Sequence, residues 1–311
     1  MDEYDKRIAF ELMDNSRQTL RHLAKKIGLT APSIKKRIDR LTEVGFIKEY
    51  IVTLGHKYIT AESAIIIVKT DGSVDLDRFT ARFQDDRAVF LILPIASGEI
   101  FLRAMYTTQD ELSNLTKKIT DFDGVENVDV HVTEVYESEC DLTDFTTPQL
   151  KILSQLVRDP RLPTHEIAAR TGLSIKSVEQ NLETLVREEM VLFGIKWNPF
   201  GKGTSVVAAP VRYDPDRTSP DVIKKWFNTN YPIEYWYSRT SVHEHLLFAI
   251  LGMSDITKLD ELTRNLQKLE GIESVTVLIG YSSVNPDTLS HIMLIELLTA
   301  NDLWPPKDKR T

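Results

Sequence analysis

Hydrophobic positions in the first fifty residues recur at helical spacing. Ile8 and Leu12 share one face of a helix from Tyr4 to Met13, and Asp14-Asn15-Ser16-Arg17 is a turn. Leu20, Leu23, Ala24 and Ile27 mark the buried face of a second helix. Gly28 falls where that helix would end, because glycine tolerates the left-handed conformation of helix termini. Thr30 then suits an N-cap, and Pro32 sits in a first turn, where its missing N–H does no harm. Ile34, Ile38 and Leu41 give the third helix its inner face, and Gly45 breaks it. Phe46 to Leu54 reads as a strand or wing leading outward. The pattern predicts helix, tight turn, helix and an extended exit.

From Ala61 the pattern changes. Ala64 to Val68 is a short apolar run, Asp75 to Phe83 has helical spacing, and Ala88–Ile95 and Ile100–Tyr106 flank a Ser97-Gly98-Glu99 turn. Gln109 to Phe122 is an amphipathic helix, and Val125 to Val135 alternates as a half-buried strand. The order strand, helix, strand, strand, helix, strand predicts an antiparallel ferredoxin-like sheet with helices on one face. Glu137 to Thr147 is polar and reads as a linker.

The pattern then restarts. Ile152 and Leu156 repeat Ile8 and Leu12 at an offset of 144, and EIAARTGLS repeats HLAKKIGLT. Later the offset is 147, with LEGIESVTV on FDGVENVDV; the three extra residues are expected near the Tyr237–His245 hairpin. An internal duplication explains this most economically. Leu289 to Leu298 adds an apolar helix expected to cover a sheet or a subunit contact, followed by Trp304-Pro305-Pro306 and a basic tail.

Charge separates the two copies. The 311-residue chain carries −8 overall, yet residues 1–57 carry +4 and residues 145–203 carry +2, so the acid lies outside the helical segments. On the third helix Ser33, Lys36 and Arg40 point away from the apolar face, with Lys35 and Arg37 on the flanks. A cationic outer face on the second helix of a helix-turn-helix is what major-groove docking requires. Lys35, Lys36, Arg37 and Arg40 correspond to Glu179, Gln180, Asn181 and Thr184 in the second copy. The first copy is therefore expected to bind DNA, and the second to bind it poorly or serve as an interaction module. Gly45 likewise becomes Glu189, and the hairpin glycine Gly98 has no second-copy counterpart.

Composition excludes other classes. One cysteine, Cys140, rules out an intrachain disulfide and a multi-cysteine zinc site. An acidic start and no apolar run of roughly 20 residues argue against secretion and a membrane span, and a cytoplasmic location is expected. His243 and His245 share a strand face but lack a third ligand; no metal, cofactor or catalytic group is expected. Trp236 is a candidate pocket residue beside an interrupted strand.

These stretches, above all YDKRIAFEL and RQTLRHLAKKIGLTAPSIKKRIDRLTEVGFIKEY, resemble the Lrp/AsnC family, feast/famine regulators of bacteria and archaea. The resemblance implies an α+β fold, a winged helix-turn-helix followed by a ferredoxin-like (βαββαβ) sheet domain, with the pair repeated twice. The expected divisions are 1–58 for the first winged helix-turn-helix and 59–137 for its sheet domain. A linker at 138–147 leads to a degenerate second head at 148–203, a second sheet domain at 204–284, and a C-terminal helix and tail at 285–311. The implied function is a transcription regulator of double-stranded DNA, with Ser33, Lys35, Lys36, Arg37 and Arg40 as the DNA-binding set. A small effector such as an amino acid is implied as a partner, without assignable binding residues. Family members carry one unit per chain, so the two halves here either face each other within the chain or pair with another chain. Because one basic helix does not suit a palindromic site, a homodimer or higher oligomer is expected. Two alternatives stand beside this reading. One is a ligand-sensing protein acting through protein partners. The other is an enzyme resembling siroheme decarboxylases, with Arg239, His243 and His245 holding tetrapyrrole carboxylates.

Overall fold

The computed structural model describes residues 2–304; the expected Pro305, Pro306 and basic tail lie outside the described residues. Helix α1 (Glu3–Asp14) starts where the Asp2 carboxylate accepts the Asp5 N–H at 2.8 Å. Helix α2 (Leu20–Ile27) ends on Gly28 at φ 83°, and α3 (Ala31–Glu43) starts from the Thr30 hydroxyl, which accepts the Ser33 N–H. Strand β1 (Ile47–Leu54) follows. The first sheet unit is β2 (Ala61–Thr70), α4 (Leu76–Phe83), β3 (Val89–Pro94), β4 (Ile100–Tyr106), α5 (Gln109–Thr120) and β5 (Val125–Tyr136), in antiparallel order β3-β4-β2-β5. The second copy runs α6 (Thr147–Leu156), α7 (Thr164–Thr171), α8 (Ile175–Arg187) and β6 (Val191–Trp197). Its sheet unit is β7 (Ser205–Tyr213), α9 (Pro220–Asn230), β8 (Tyr235–Thr240), β9 (Leu246–Met253), α10 (Leu259–Gln267), β10 (Ile272–Val275) and β11 (Leu278–Gly280). Helix α11 (Leu289–Ala300) closes the described chain.

The last strand of copy 2 is split, and Pro210 explains it. Proline has no N–H to give the neighbouring strand, so β7 pairs with β10 on one side of it and with β11 on the other.

The two halves form a pseudo-dimer within the chain. Ile51 pairs with Gly194 and Tyr50 with Ile195. The 144-residue repeat exchanges these two pairs, so a local two-fold axis passes between them. The expectation of an outward wing is therefore corrected: β1 is the antiparallel partner of β6 and lies between the heads. Each head borrows core residues from the other copy. Ile195 and Trp197 complete the core under α1–α3, while Val52 and Leu54 join the core of α6–α8.

Alternation along β2 and β7 sets the layers. Ala64, Ile66 and Val68 face α4 and α5, while Ile65 faces the other sheet. Val207, Ala209 and Val211 face α9 and α10, while Val206 and Ala208 face back across the interface. Both strands read as continuous apolar runs because both faces are covered. Phe101 and its repeat equivalent Phe248 meet across the axis, ring centroids 6.5 Å apart.

One further expectation changes. Pro94 pairs with Ile100 but Thr240 with Leu247, which puts one of the three extra residues in the hairpin. The other two lengthen α9, which runs three residues further than α4, while the connection to β8 is one residue shorter than its first-copy counterpart. The chain after β11 also crosses to the first copy, where Val284 exchanges backbone hydrogen bonds with Ile92 at 2.9 Å and covers the β3 edge. Helix α11 then packs with Leu289, Leu294 and Leu298 in the core of the second head, and His291 Nδ1 lies 2.7 Å from the Val52 carbonyl. It thus covers a sheet, the two-stranded β1–β6 pair, as expected of an apolar closing helix.

Glu189 adopts φ 47°, where copy 1 has Gly45 at φ 71°. A non-glycine residue pays a steric penalty in this region. Glu189→Gly is expected to stabilise the protein by about 0.5–1 kcal/mol, part of the relief being offset by unfolded-state entropy. Thermal unfolding measures this; an unchanged or lowered midpoint would contradict it.

Candidate nucleic-acid interface and inter-sheet cavity

Helix α3 carries the five predicted residues, but the structure treats them differently. Lys36 is exposed and has no ion-pair partner among the described residues. Lys35 is exposed and bridges Asp39 one turn on at 2.6 Å. Ser33 is half-buried in the first turn, its N–H held by Thr30. Arg37 and Arg40 share one carboxylate: Arg37 Nη1 and Arg40 Nη2 each lie 2.7 Å from an Asp5 oxygen. Asp5 is 1% exposed, while the Arg37 and Arg40 side chains are 24% and 49% exposed. Arg37 also reaches Asp2 at 2.7 Å and lies over the Tyr4 ring. The hydrogen bond that Arg37 donates to the Asp2 carboxylate holds its guanidinium above the ordinary pKa. The outer face thus presents Lys35, Lys36 and Arg40, with Arg37 turned toward α1.

Reading the chain for cations overlooked Asp5. Its signal was position: residues 5, 8, 9 and 12 form one helical face, so an acid there joins the apolar stripe and requires a partner. In the second copy Gln149 occupies the equivalent place, where its side chain accepts the Thr146 N–H at 2.8 Å. The acid and both arginines are replaced together, since Arg37 and Arg40 correspond to Asn181 and Thr184.

The heads are anchored to the rest of the chain. Lys6 Nζ donates to the carbonyls of Pro232, at 2.6 Å, and Tyr235. Burial pulls its ammonium below the ordinary lysine value. Arg17 donates to the carbonyls of Pro160 and Leu162 at 2.5 and 3.2 Å and lies over Phe193. Its repeat equivalent Arg161 crosses the other way to the Tyr50 hydroxyl at 3.0 Å.

A cavity of about 230 Å³ lies between the sheets, under the β1–β6 pair. Its walls are mostly apolar, from Phe90, Leu91 and Leu93 of copy 1 and Ile195, Trp197, Val206 and Ile250 of copy 2. Trp236 lines it as expected of a pocket residue; Phe90 and Trp236 sit at the same bulge in their respective edge strands. The indole fits because Gly252 leaves room: a Cβ there would stand 1.8 Å from Trp236 Cζ2. Lys196, also in the lining, is neutralised by Asp287 at 2.5 Å and Glu49 at 2.7 Å. Burial lowers its pKa, but these two hydrogen bonds win and hold it above the ordinary lysine value. His243 and His245 are exposed in the β8–β9 turn, while Glu244 between them reaches His131 Nδ1 at 2.5 Å. Among the described residues no group of three His, Cys, Asp or Glu could hold a metal, and no helix is long and apolar enough to cross a membrane.

The fold and the two heads define a tandem winged helix-turn-helix protein. A winged helix-turn-helix DNA-binding family model matches residues 1–48 and again 147–191. An uncharacterized HTH-type transcriptional regulator of Pyrococcus furiosus is 30% identical over 125 residues, spanning 38% of this chain and 79% of the relative. The HTH-type transcriptional regulator LrpC of Bacillus subtilis is 32% identical over 84 residues, 27% of this chain and 58% of its own. The chain belongs to the Lrp/AsnC family of HTH-type transcriptional regulators. Its whole-chain arrangement matches a solved structure of the siroheme decarboxylase NirDL, with a TM-score of 0.56, 16% identity, and coverage of 97% of this chain and 100% of that one. At that identity the likeness shows the fold alone.

Proposed function

We propose that this chain is a DNA-binding transcription regulator that docks α3 of its first copy in the major groove. The observation that carries the reading is the contrast between equivalent helices: α3 presents Lys35, Lys36 and Arg40, whereas α8 presents Glu179, Gln180 and Thr184 at the same places. Lys36 and Arg40 reach phosphates or guanine edges, Lys35 and Arg37 flank them, and Ser33 approaches from the first turn. Because the chain is already a pseudo-dimer with one cationic head, a two-fold DNA site is read by two chains, as a homodimer or higher oligomer. The protein works in the cytoplasm as a regulator without catalytic activity of its own, and a small molecule modulates it.

Fluorescence anisotropy on genomic duplexes across a salt series tests this. Binding is expected to weaken steeply with salt. Lys36→Ala/Arg40→Ala is expected to lower the slope of log K against log salt by about 2, near 0.9 per lost phosphate contact. Equal binding by the variant, or none by the wild type at low salt, would sink the assignment.

The whole-chain likeness to NirDL favours a second reading, a tetrapyrrole-binding enzyme. A cavity of about 230 Å³ is below the roughly 300 Å³ at which pockets for drug-sized ligands begin, and a cationic α3 has no role in such an enzyme. Visible absorption of a purified sample titrated with an iron porphyrin separates the two readings.

A further inference from the structure

The helical face of the second copy carries a groove that the first copy does not match. It lies between α9 and α10, has a volume of about 400 Å³, and is walled by Trp226, Tyr231, Glu234, Glu261 and Asn265. The longer helix makes it. Helix α9 runs to Asn230, three residues further than α4, so Tyr231 ends it just over a turn beyond Trp226. The two rings lie 5.5 Å apart with their planes at 41°, an aromatic corner with two walls. Phe227 fixes Trp226, edge-on at 5.2 Å.

Charge gives the corner its sign. Glu234 comes from the approach to β8 and Glu261 from α10, and neither is in an ion pair among the described residues. Both act on the Tyr231 hydroxyl. Burial raises the pKa of that hydroxyl above its ordinary value, a hydrogen bond from the Asn265 side chain opposes the rise, and the two carboxylates add to it. Lys258 at the rim offsets one of the two negative charges, while the Lys6 ammonium, which feels Glu234, already has two carbonyl acceptors. The first copy has the opposite sign at the same place. Arg82, Asn114 and Lys118 correspond to Trp226, Glu261 and Asn265, and Arg78 and Lys117 line the same cationic groove. The ring quadrupole attracts a cation to an aromatic face, most strongly for tryptophan, and nearby carboxylates add to the attraction. A primary ammonium holds its water tightly, whereas a methylated ammonium is satisfied by ring faces.

We propose that the α9–α10 groove binds a small methylated ammonium compound, its cationic head against Trp226 and Tyr231 and its charge balanced by Glu234 and Glu261. The site adjoins the first head. Glu234 lies between Pro232 and Tyr235, whose carbonyls hold Lys6 of α1. The inference is independent of the DNA reading, and binding is measured without DNA.

The test is calorimetric titration of the full chain with choline, with dimethylbutanol as its uncharged carbon isostere, and with ethanolamine as its unmethylated analogue. Choline is expected to bind saturably, with a dissociation constant of about 1 mM. It is expected to bind roughly fivefold tighter than either analogue, or more. Trp226→Leu is expected to weaken choline binding about tenfold, and Glu261→Gln about fivefold. Glu261 is exposed on α10, so Glu261→Gln covers the case in which Trp226→Leu fails to fold. Absence of saturable binding up to about 10 mM choline overturns the proposal. So does binding of either analogue as tight as that of choline, or full binding by Glu261→Gln or by a folded Trp226→Leu.

Discussion

Gly55→Ala is expected to cost about 3 kcal/mol or more and to separate the two copies at their junction. Gly55 has φ −65°, which alanine adopts freely, so backbone strain plays no part. Space decides instead. A Cβ at Gly55 would stand 1.8 Å from the Glu189 carbonyl oxygen, and the Gly55 N–H donates to the Met190 carbonyl at 2.9 Å. Neither backbone can withdraw without breaking the contact where β1 of one copy leaves the α8–β6 turn of the other. Gly28→Ala is the matched control. It has open space but φ 83°, so it is expected to cost only about 1–2 kcal/mol. Urea midpoints of the two variants measure the difference. A Gly55→Ala loss no larger than that of Gly28→Ala would show that the junction yields.

Asp5→Ala is expected to cost about 2 kcal/mol, the second largest effect. The substitution leaves two guanidinium groups facing a buried apolar gap. The full penalty of a broken buried pair does not apply, because the Arg40 side chain is half exposed and screened by water. A cycle with Arg37→Ala/Arg40→Ala isolates the coupling: the acid should matter little once both arginines are gone. If Asp5→Ala costs the same in either background, the carboxylate is not what ties α3 to α1. The second copy shows the alternative solution, with Gln149 satisfied inside its own helix start and Asn181 and Thr184 in the places of the two arginines.

The heads were legible because their cues are local. Gly28 takes the left-handed φ its place after Ile27 implied, and Thr30 caps α3. The ferredoxin-like order was legible for the same reason: Ser97-Gly98-Glu99 makes the β3–β4 turn, and alternation marks β5 as a strand, although its middle is half-buried on both faces because His131 and Thr133 turn toward the second sheet. Asp5 was half legible, as an acid on an apolar stripe. The cavity was not legible. Trp236, Trp197, Phe90 and Arg103 come from four strands in two copies, and no periodicity within one strand records what faces it across an interface.

The sequence by itself determined the element order, the duplication, the concentration of cations on one α3 and their loss from α8. These follow from spacing and residue type, which act over a turn of helix or a pair of strands. Only the tertiary structure decided that the copies face each other within one chain. The same decision sends β1 to β6 instead of outward, moves the chain after β11 onto the β3 edge, and leaves an apolar space between the sheets. Those outcomes depend on which apolar surfaces meet, and apolar burial is non-directional, so the same hydrophobic faces would satisfy an intrachain or an interchain partner equally well until the chain is seen folded.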